Sequence, residues 1–451
     1  MSNPDPQAEE PPNTPTMAKP SLPTVEDLAK IVAASTLHND PREKRMDRST
    51  RLLKAYLIKN EPEFVRVTEF RDRGWIQNKE KGDAFFKLQR EKADNADEIG
   101  EKRFYSMMLQ LADEMQSKTG AFFPQKSFSF GGPLLPRGGL SPLGSRENEF
   151  KSLDICMAPG GYTAAVLKYH PNAKAYGITL PIEQGGHPLH IPKNRLAGLK
   201  LLDITMLAAE FTDRPLPANH PGRAEFLSVR PFRHYAFDLV FCDGMVLRTQ
   251  ERPTYREENE VTRLSCSQMI LAMQRVAEGG TIIMLLHKID SWGAASILYT
   301  FSKFAKVEVF KPTKKHATRS SFYLIAKEVR SGSEDAKKAV QEWKDAWWKA
   351  TFGGEGGTGE PKQDPPESVV MGVMEDFGER LMEMGRPVWR IQADALSRTE
   401  YAGDGSASSP FGKDIIDSPS PRRLAVGKGL QENVVPLRET SSLERGSSDS
   451  F

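Results

Sequence analysis

The sequence predicts an α/β protein built on a mostly parallel sheet with helices on both faces. Three observations carry this reading. Short apolar runs rich in β-formers recur at Phe150–Met157, Ala173–Thr179, Phe237–Cys242, Thr281–Leu286, Val307–Phe310 and Phe322–Ala326. Helix-length segments separate most of these runs, and strands that alternate with helices pair in parallel and are covered on both sides. Hydrophobic residues make up 38% of the 451, enough together with Gly to exclude wholesale disorder. The net charge of +2, from 62 basic and 60 acidic residues, excludes attraction of nucleic acid or anionic membrane by bulk charge.

Taken in order, residues 1–23 are Pro-rich and aperiodic and read as a disordered tail. They lack an apolar signal core, and no stretch approaches the roughly 18 apolar residues of a membrane span, so no membrane partner and an intracellular location, nucleus or cytoplasm, are expected. Residues 24–149 read as a helical N-terminal extension. Thr24 can cap a helix with Asp27 as its N3 acid, ahead of Leu28, Ile31 and Val32 at helical spacing. A second helical stretch runs from about Asp83 to Lys118, with Phe104, Met107, Met108, Leu111 and Met115 on one face, before the Gly/Pro-rich segment Gly131–Gly144 breaks it. The α/β domain follows at 150–330. Beyond it, 331–400 holds a helix at Ser333–Phe352, whose Trp343 and Trp347 are expected to pack on the domain, a Gly/Pro linker at Gly353–Pro366, and a helix around Ser368–Met384. Residues 401–451, rich in Ser, Gly, Arg and Asp, read as a second disordered tail. Cys156, Cys242 and Cys266 are too few and too scattered for a disulfide framework or a zinc site, so a reducing compartment and no metal are expected.

The sharpest local feature is Leu153-Asp154-Ile155-Cys156-Met157-Ala158-Pro159-Gly160-Gly161-Tyr162-Thr163, a strand that enters a Gly-Gly turn and then a helix to about His170. In an open α/β sheet the ligand crevice lies outside the carboxyl ends of the strands, where glycines permit close approach to the backbone. The spacing fits neither a phosphate-binding P-loop nor a dinucleotide fingerprint. By itself it is equally a tight connection.

Asp-x-Cys-x-Ala-Pro-Gly-Gly-Tyr-Thr resembles the first S-adenosylmethionine motif of the FtsJ-like ribose 2'-O-methyltransferases. The resemblance continues over roughly Phe150–Val329. Tyr176-Gly177-Ile178-Thr179-Leu180 and Leu202-Asp203-Ile204-Thr205 are most similar to the strand ends of the cap-type members. It implies a Rossmann-like S-adenosylmethionine-dependent methyltransferase fold with helical N- and C-terminal extensions. It also implies S-adenosylmethionine as cofactor, held by Asp154, Ala158, Pro159, Gly160, Gly161, Tyr162, Asp203, Ile204 and Asp243. Asp203 would meet the adenine amino group; otherwise it is a helix N-cap after its strand.

Methyl transfer to a ribose hydroxyl needs that hydroxyl oriented toward the methyl and its proton accepted. In the resembling family a Lys-Asp-Lys-Glu set does this. Asp243, after the strand Phe237–Cys242, matches the Asp; otherwise it caps a turn. Asp238, at the other end of that strand, is expected to be structural. The family's second lysine falls on Leu285, so Lys288 is the candidate proton acceptor only if the strand runs longer or bulges. Ser321 stands in the place of the glutamate and Gln110 in that of the first lysine, with Lys118 or Lys126 as substitutes. Asp243 and Lys288 are thus the expected catalytic pair of an incomplete set.

Lys311, Lys314, Lys315 and Arg319 form a basic run beside the crevice, which suits phosphate contacts and points to RNA. A solvated loop has the same composition. The alternating Arg and Glu from Arg248 to Arg263 reads as an exposed helix with ion pairs. The expected function is therefore S-adenosylmethionine-dependent methylation of an RNA ribose 2'-hydroxyl. The alternative is a catalytically degenerate methyltransferase fold that binds S-adenosylmethionine or RNA as an interaction module, with protein partners met through the helical extensions and tails.

Overall fold

The computed structural model describes residues 23–34, 46–95, 97–124, 149–247 and 250–403. Residues 1–22 and 404–451 of the expected tails, the Gly131–Gly144 segment, Lys126 and Arg248 lie outside the described residues, whereas Tyr401 and Ala402, expected in the second tail, are buried in the core because their apolar side chains pack against it.

The N-terminal helices are α1 (Val25–Ala34), α2 (Arg48–Asn60), α3 (Pro62–Asp72), α4 (Lys79–Asp94) and α5 (Glu98–Thr119). Thr24 and Asp27 form the expected capping box: Asp27 N–H donates to Thr24 Oγ1 at 3.2 Å and Thr24 N–H to Asp27 Oδ2 at 3.2 Å. The single helix expected over 83–118 is two. Asn95 closes α4 by donating to Glu91 O at 3.0 Å, and Asp97 opens α5 by accepting Gly100 N–H at 2.8 Å.

The remaining elements are β1 (Lys151–Ile155), α6 (Gly161–Tyr169), β2 (Lys174–Thr179), β3 (Gly198–Leu201), α7 (Ala208–Phe211), β4 (Phe237–Cys242), α8 (Thr254–Glu257), α9 (Glu260–Arg275), β5 (Val276–His287), α10 (Trp292–Ser302), β6 (Lys306–Phe310), β7 (Ser321–Val329), α11 (Glu334–Phe352) and α12 (Glu367–Leu396). The strands form one sheet in the order β3-β2-β1-β4-β5-β7-β6, parallel except for β7. This is a Rossmann-like methyltransferase fold. The apolar runs do not show β3, whose four residues at the sheet edge carry too little apolar signal, although the resemblance places a strand end at Leu202, next to it.

Alternation along the strands sends Val240, Cys242, Ile282 and Met284 to one face and Leu239, Phe241 and Ile283 to the other. The first face receives α2, α3, α9, α10, α11 and α12; the second receives α5 and α6. Helices from both ends of the chain thus share one core with the sheet. Trp343 and Trp347 pack into that core, with Trp347 fully buried. α12 runs beyond the expected Met384, through Pro387, because Val388, Trp389, Ala393 and Leu396 continue its buried face.

The run Arg248–Arg263 departs from expectation. Its ion pairs exist, but Arg256, Glu260 and Arg263 are buried, since Asp203 and the turn after it supply the partners that make burial tolerable.

Candidate active site

The strand order reverses between β1 and β4, so the crevice of this fold opens at their carboxyl ends. From β1 the chain turns through Cys156, at a left-handed φ of 67°, and Gly160, at 98°, into α6. A Cβ on Gly160 would lie 2.8 Å from Ile191 Cγ2, and one on Gly161 2.4 Å from Met108 Cβ in α5. His190 N–H donates to Pro159 O at 3.0 Å. Protein therefore fills the side from which a Cβ would project at both glycines, as the tight connection that the sequence also allows requires. Ala158 is half-buried; Pro159, Gly160, Gly161 and Tyr162 are buried.

Two carboxyls stand at this crest. Asp154 is 2% exposed and accepts the Thr163 hydroxyl at 2.8 Å; burial pushes its pKa up to about 7. Asp243 follows β4 and is half-buried, with Oδ1 enclosed and without a hydrogen-bond partner among the described residues. Burial, and then the charge of Asp154, pushes Asp243 well above the usual carboxylate range. The next residue is clamped: Gly244 N–H donates to Gln268 Oε1 at 2.8 Å, and Gln268 Nε2 donates to Gly244 O at 3.1 Å. Nearby, the hydroxyls of Tyr162 and Tyr323 are 2.5 Å apart, both within the field of Asp243. Neither the clamp nor the tyrosine pair was legible in the sequence, because each joins residues far apart in the chain.

The buried Asp154 makes stability depend on pH. Its folded pKa lies above the ordinary carboxyl value of 3.8, so the folded state holds the proton more tightly. The resulting stability is complete below about pH 4 and is lost as pH rises through about 7. Asp154→Asn keeps an acceptor for Thr163 and removes this loss. Urea denaturation is expected to find the variant more stable than wild type at pH 8, by up to about 4 kcal/mol, and little different at pH 4.

Asp203 is engaged on both oxygens. Oδ1 accepts the Thr205 N–H and hydroxyl, each at 2.8 Å, which caps the turn at 204–206, and Oδ2 pairs with the buried Arg256 at 2.9 Å. Ile204 is buried beside it. Asp238 accepts Lys151 N–H at 2.9 Å, the structural part expected of it.

The register decides where Lys288 stands. Cys242 pairs with Met284, so Asp243 is level with Leu285, and β5 continues in step with β7 up to His287. The irregularities lie at the other end of the strands, between Phe237 and Leu239 and between Gly280 and Ile282. Lys288 thus begins about 10 Å beyond Asp243 along the strand. Its backbone is left-handed, with φ 51°, and its N–H donates to Ser320 O at 2.9 Å. The bulge that would draw it back is absent there. Gln110 is exposed on α5, and Lys118, about 15 Å further along the helix than Met108, pairs with Glu114 at 2.8 Å.

Lys311 is corrected from a substrate contact to an internal one. It is 4% exposed, and its Nζ donates to the carbonyls of His316 at 2.8 Å, Arg319 at 2.5 Å and Ser321 at 2.8 Å. Burial pushes its pKa down to about 7. The loop folds around this ammonium and leaves Lys314 and Arg319 exposed and Lys315 half-buried. Ser321 is buried at the start of β7.

Residues 140–329 match the model of the FtsJ-like methyltransferase family. No curated protein matches the sequence. Among solved structures, one described as a ribosomal RNA methyltransferase from Plasmodium falciparum aligns at a TM-score of 0.28 and 16% identity, covering 49% of this chain and 97% of its own. An O-methyltransferase family protein from Burkholderia thailandensis aligns at 0.27 and 13%, covering 62% of this chain and 71% of its own. The segment that matches the FtsJ-like methyltransferase model, residues 140–329, spans the crest where the strand order reverses.

Proposed function

We propose that this chain transfers a methyl group from S-adenosylmethionine to a ribose 2'-hydroxyl of RNA, as the cap-type relatives of its motifs do. The observation that carries the reading is Asp243 Oδ1, a buried acceptor at the crest of the sheet that has no donor among the described residues. A donor group arriving there from a ligand relieves the cost of burying it. The backbone of Ala158–Tyr162, with Asp154, Asp203 and Ile204, would hold the cofactor on the β1–β3 side of Asp243. When bound, it supplies a methyl group on a positively charged sulfonium. Asp243 accepts the hydrogen bond of the hydroxyl, holds it in line and, when ionised, takes its proton as the bond from oxygen to the methyl group forms and the methyl–sulfur bond breaks. Lys314, Lys315 and Arg319 draw the RNA by its phosphates.

A second reading has its own support: the positions of three family catalytic residues hold Gln110, Leu285 and Ser321, and the register brings no lysine backbone level with Asp243. On that reading the fold binds cofactor or RNA without turnover. Purified protein given radiolabelled S-adenosylmethionine and total cellular RNA separates the two. Label entering ribose 2'-O positions is expected. Calorimetric binding of the cofactor with no label in RNA would sink the enzymatic reading and leave the second.

A further inference from the structure

We infer that Lys288 is a phosphate contact for the RNA substrate, continuous with Lys314, Lys315 and Arg319, rather than the acceptor of the hydroxyl proton. The inference rests on the proposed RNA methylation and assigns a role within that site.

The first ground is the register. Lys288 starts three residues past the level of Asp243, beyond the last paired residue of β5, and its side chain is exposed. A general base must come within hydrogen-bond reach of the proton it takes. The second ground is attachment. The Lys288 N–H donates to Ser320 O, so its turn is joined to the basic loop and not to the crest at β4.

The two segments are also held together from behind by both ends of the chain. Asp290, 1% exposed, pairs with Arg71 Nη1 from α3 at 3.1 Å. Arg71 Nη2 donates to Gln392 Oε1 from α12 at 2.6 Å. Gln392 Nε2 in turn donates to Thr318 O at 3.1 Å and to Ser320 Oγ at 3.2 Å. One polar chain thus fixes the turn at 288–290 against the loop at 318–320. α3 and α12 act as positioning elements for a surface that neither of them forms.

Charge gives the third ground. Residues 311–321 contain no acidic side chain. His287, beside Lys288, is held below its usual range by burial and by the charges of Arg319, Lys311 and Lys288. The Asp290 carboxylate is turned inward onto Arg71. A phosphate chain is the anion that meets several cations in succession.

The test measures binding of a labelled mixed-sequence single-stranded RNA to the full-length chain at several salt concentrations, beside methyl transfer to total RNA. Lys288→Ala is expected to weaken RNA binding several-fold, to lower the slope of log affinity against log salt by about 0.7, and to raise KM for RNA more than it lowers kcat. Lys288→Arg is expected to rescue both, because a guanidinium binds phosphate but does not take a proton. RNA binding unaffected in Lys288→Ala, with kcat lost in both variants, overturns the inference and makes Lys288 the proton acceptor. A Lys314→Ala/Lys315→Ala double variant keeps the two levels apart. If it loses RNA binding and Lys288→Ala does not, the inference alone fails. If no variant alters RNA binding and the wild type labels no RNA, the functional reading fails with it.

Discussion

Asp243→Ala is expected to abolish measurable methyl transfer, a loss of about 10²–10⁴-fold, while the far-ultraviolet circular dichroism spectrum stays that of wild type. On the proposed function the side chain orients the hydroxyl, and its Oδ1 holds no hydrogen bond among the described residues, so its removal is expected to take away function more than structure. Asp243→Asn sharpens the point. The amide keeps the shape but cannot become an anion, and transfer should remain low. The wild-type rate should rise with pH, because burial and the neighbouring Asp154 hold the Asp243 proton on to higher pH than in an exposed carboxyl and only the ionised form is a strong acceptor. The Asn variant should lack that rise. A full rate in Asp243→Ala would remove the carboxyl from the reaction altogether.

Trp347→Ala is expected to give the largest loss of stability, about 3–5 kcal/mol by urea denaturation. The indole is fully buried, packs against Phe211 with ring centroids 4.9 Å apart, and donates from Nε1 to Thr205 O at 3.1 Å. That carbonyl belongs to the turn capped by Asp203, so the C-terminal α11 supports the turn at the end of β3. Trp347→Phe keeps most of the apolar contact and loses the hydrogen bond, which should cost about 1–2 kcal/mol. If Trp347→Ala unfolds at the wild-type midpoint, α11 is an appendage and not part of the core.

The two expected losses differ in how readily the sequence announces them. Asp243 stands at the end of an unbroken apolar run, and strand ends followed by an acid are visible in one dimension. Trp347 was expected to pack on the domain, but nothing local tells that its indole reaches Thr205, 142 residues away. The same contrast holds elsewhere. Thr24 with Asp27 announces its helix because a cap is made within one turn. β3 does not, because four edge residues gain their identity from pairing with β2.

The sequence by itself determined the strand-helix alternation, the Gly-Gly turn after β1, and Asp243 at the end of β4, since these follow from periodicity and from residues adjacent in the chain. Only the tertiary structure decided which charges face solvent. Lys311 and Lys314 look alike in sequence, but the loop closes three carbonyls on one and leaves the other outside. Arg256 and Glu260 look like surface ion pairs until Asp203 is brought beneath them. The level of Lys288 relative to Asp243 is set by the β4–β5 and β5–β7 registers, which place it three residues further along. Burial and strand register are set by contacts between distant residues, and a lysine carries no local mark of which carbonyl, carboxylate or phosphate it will meet.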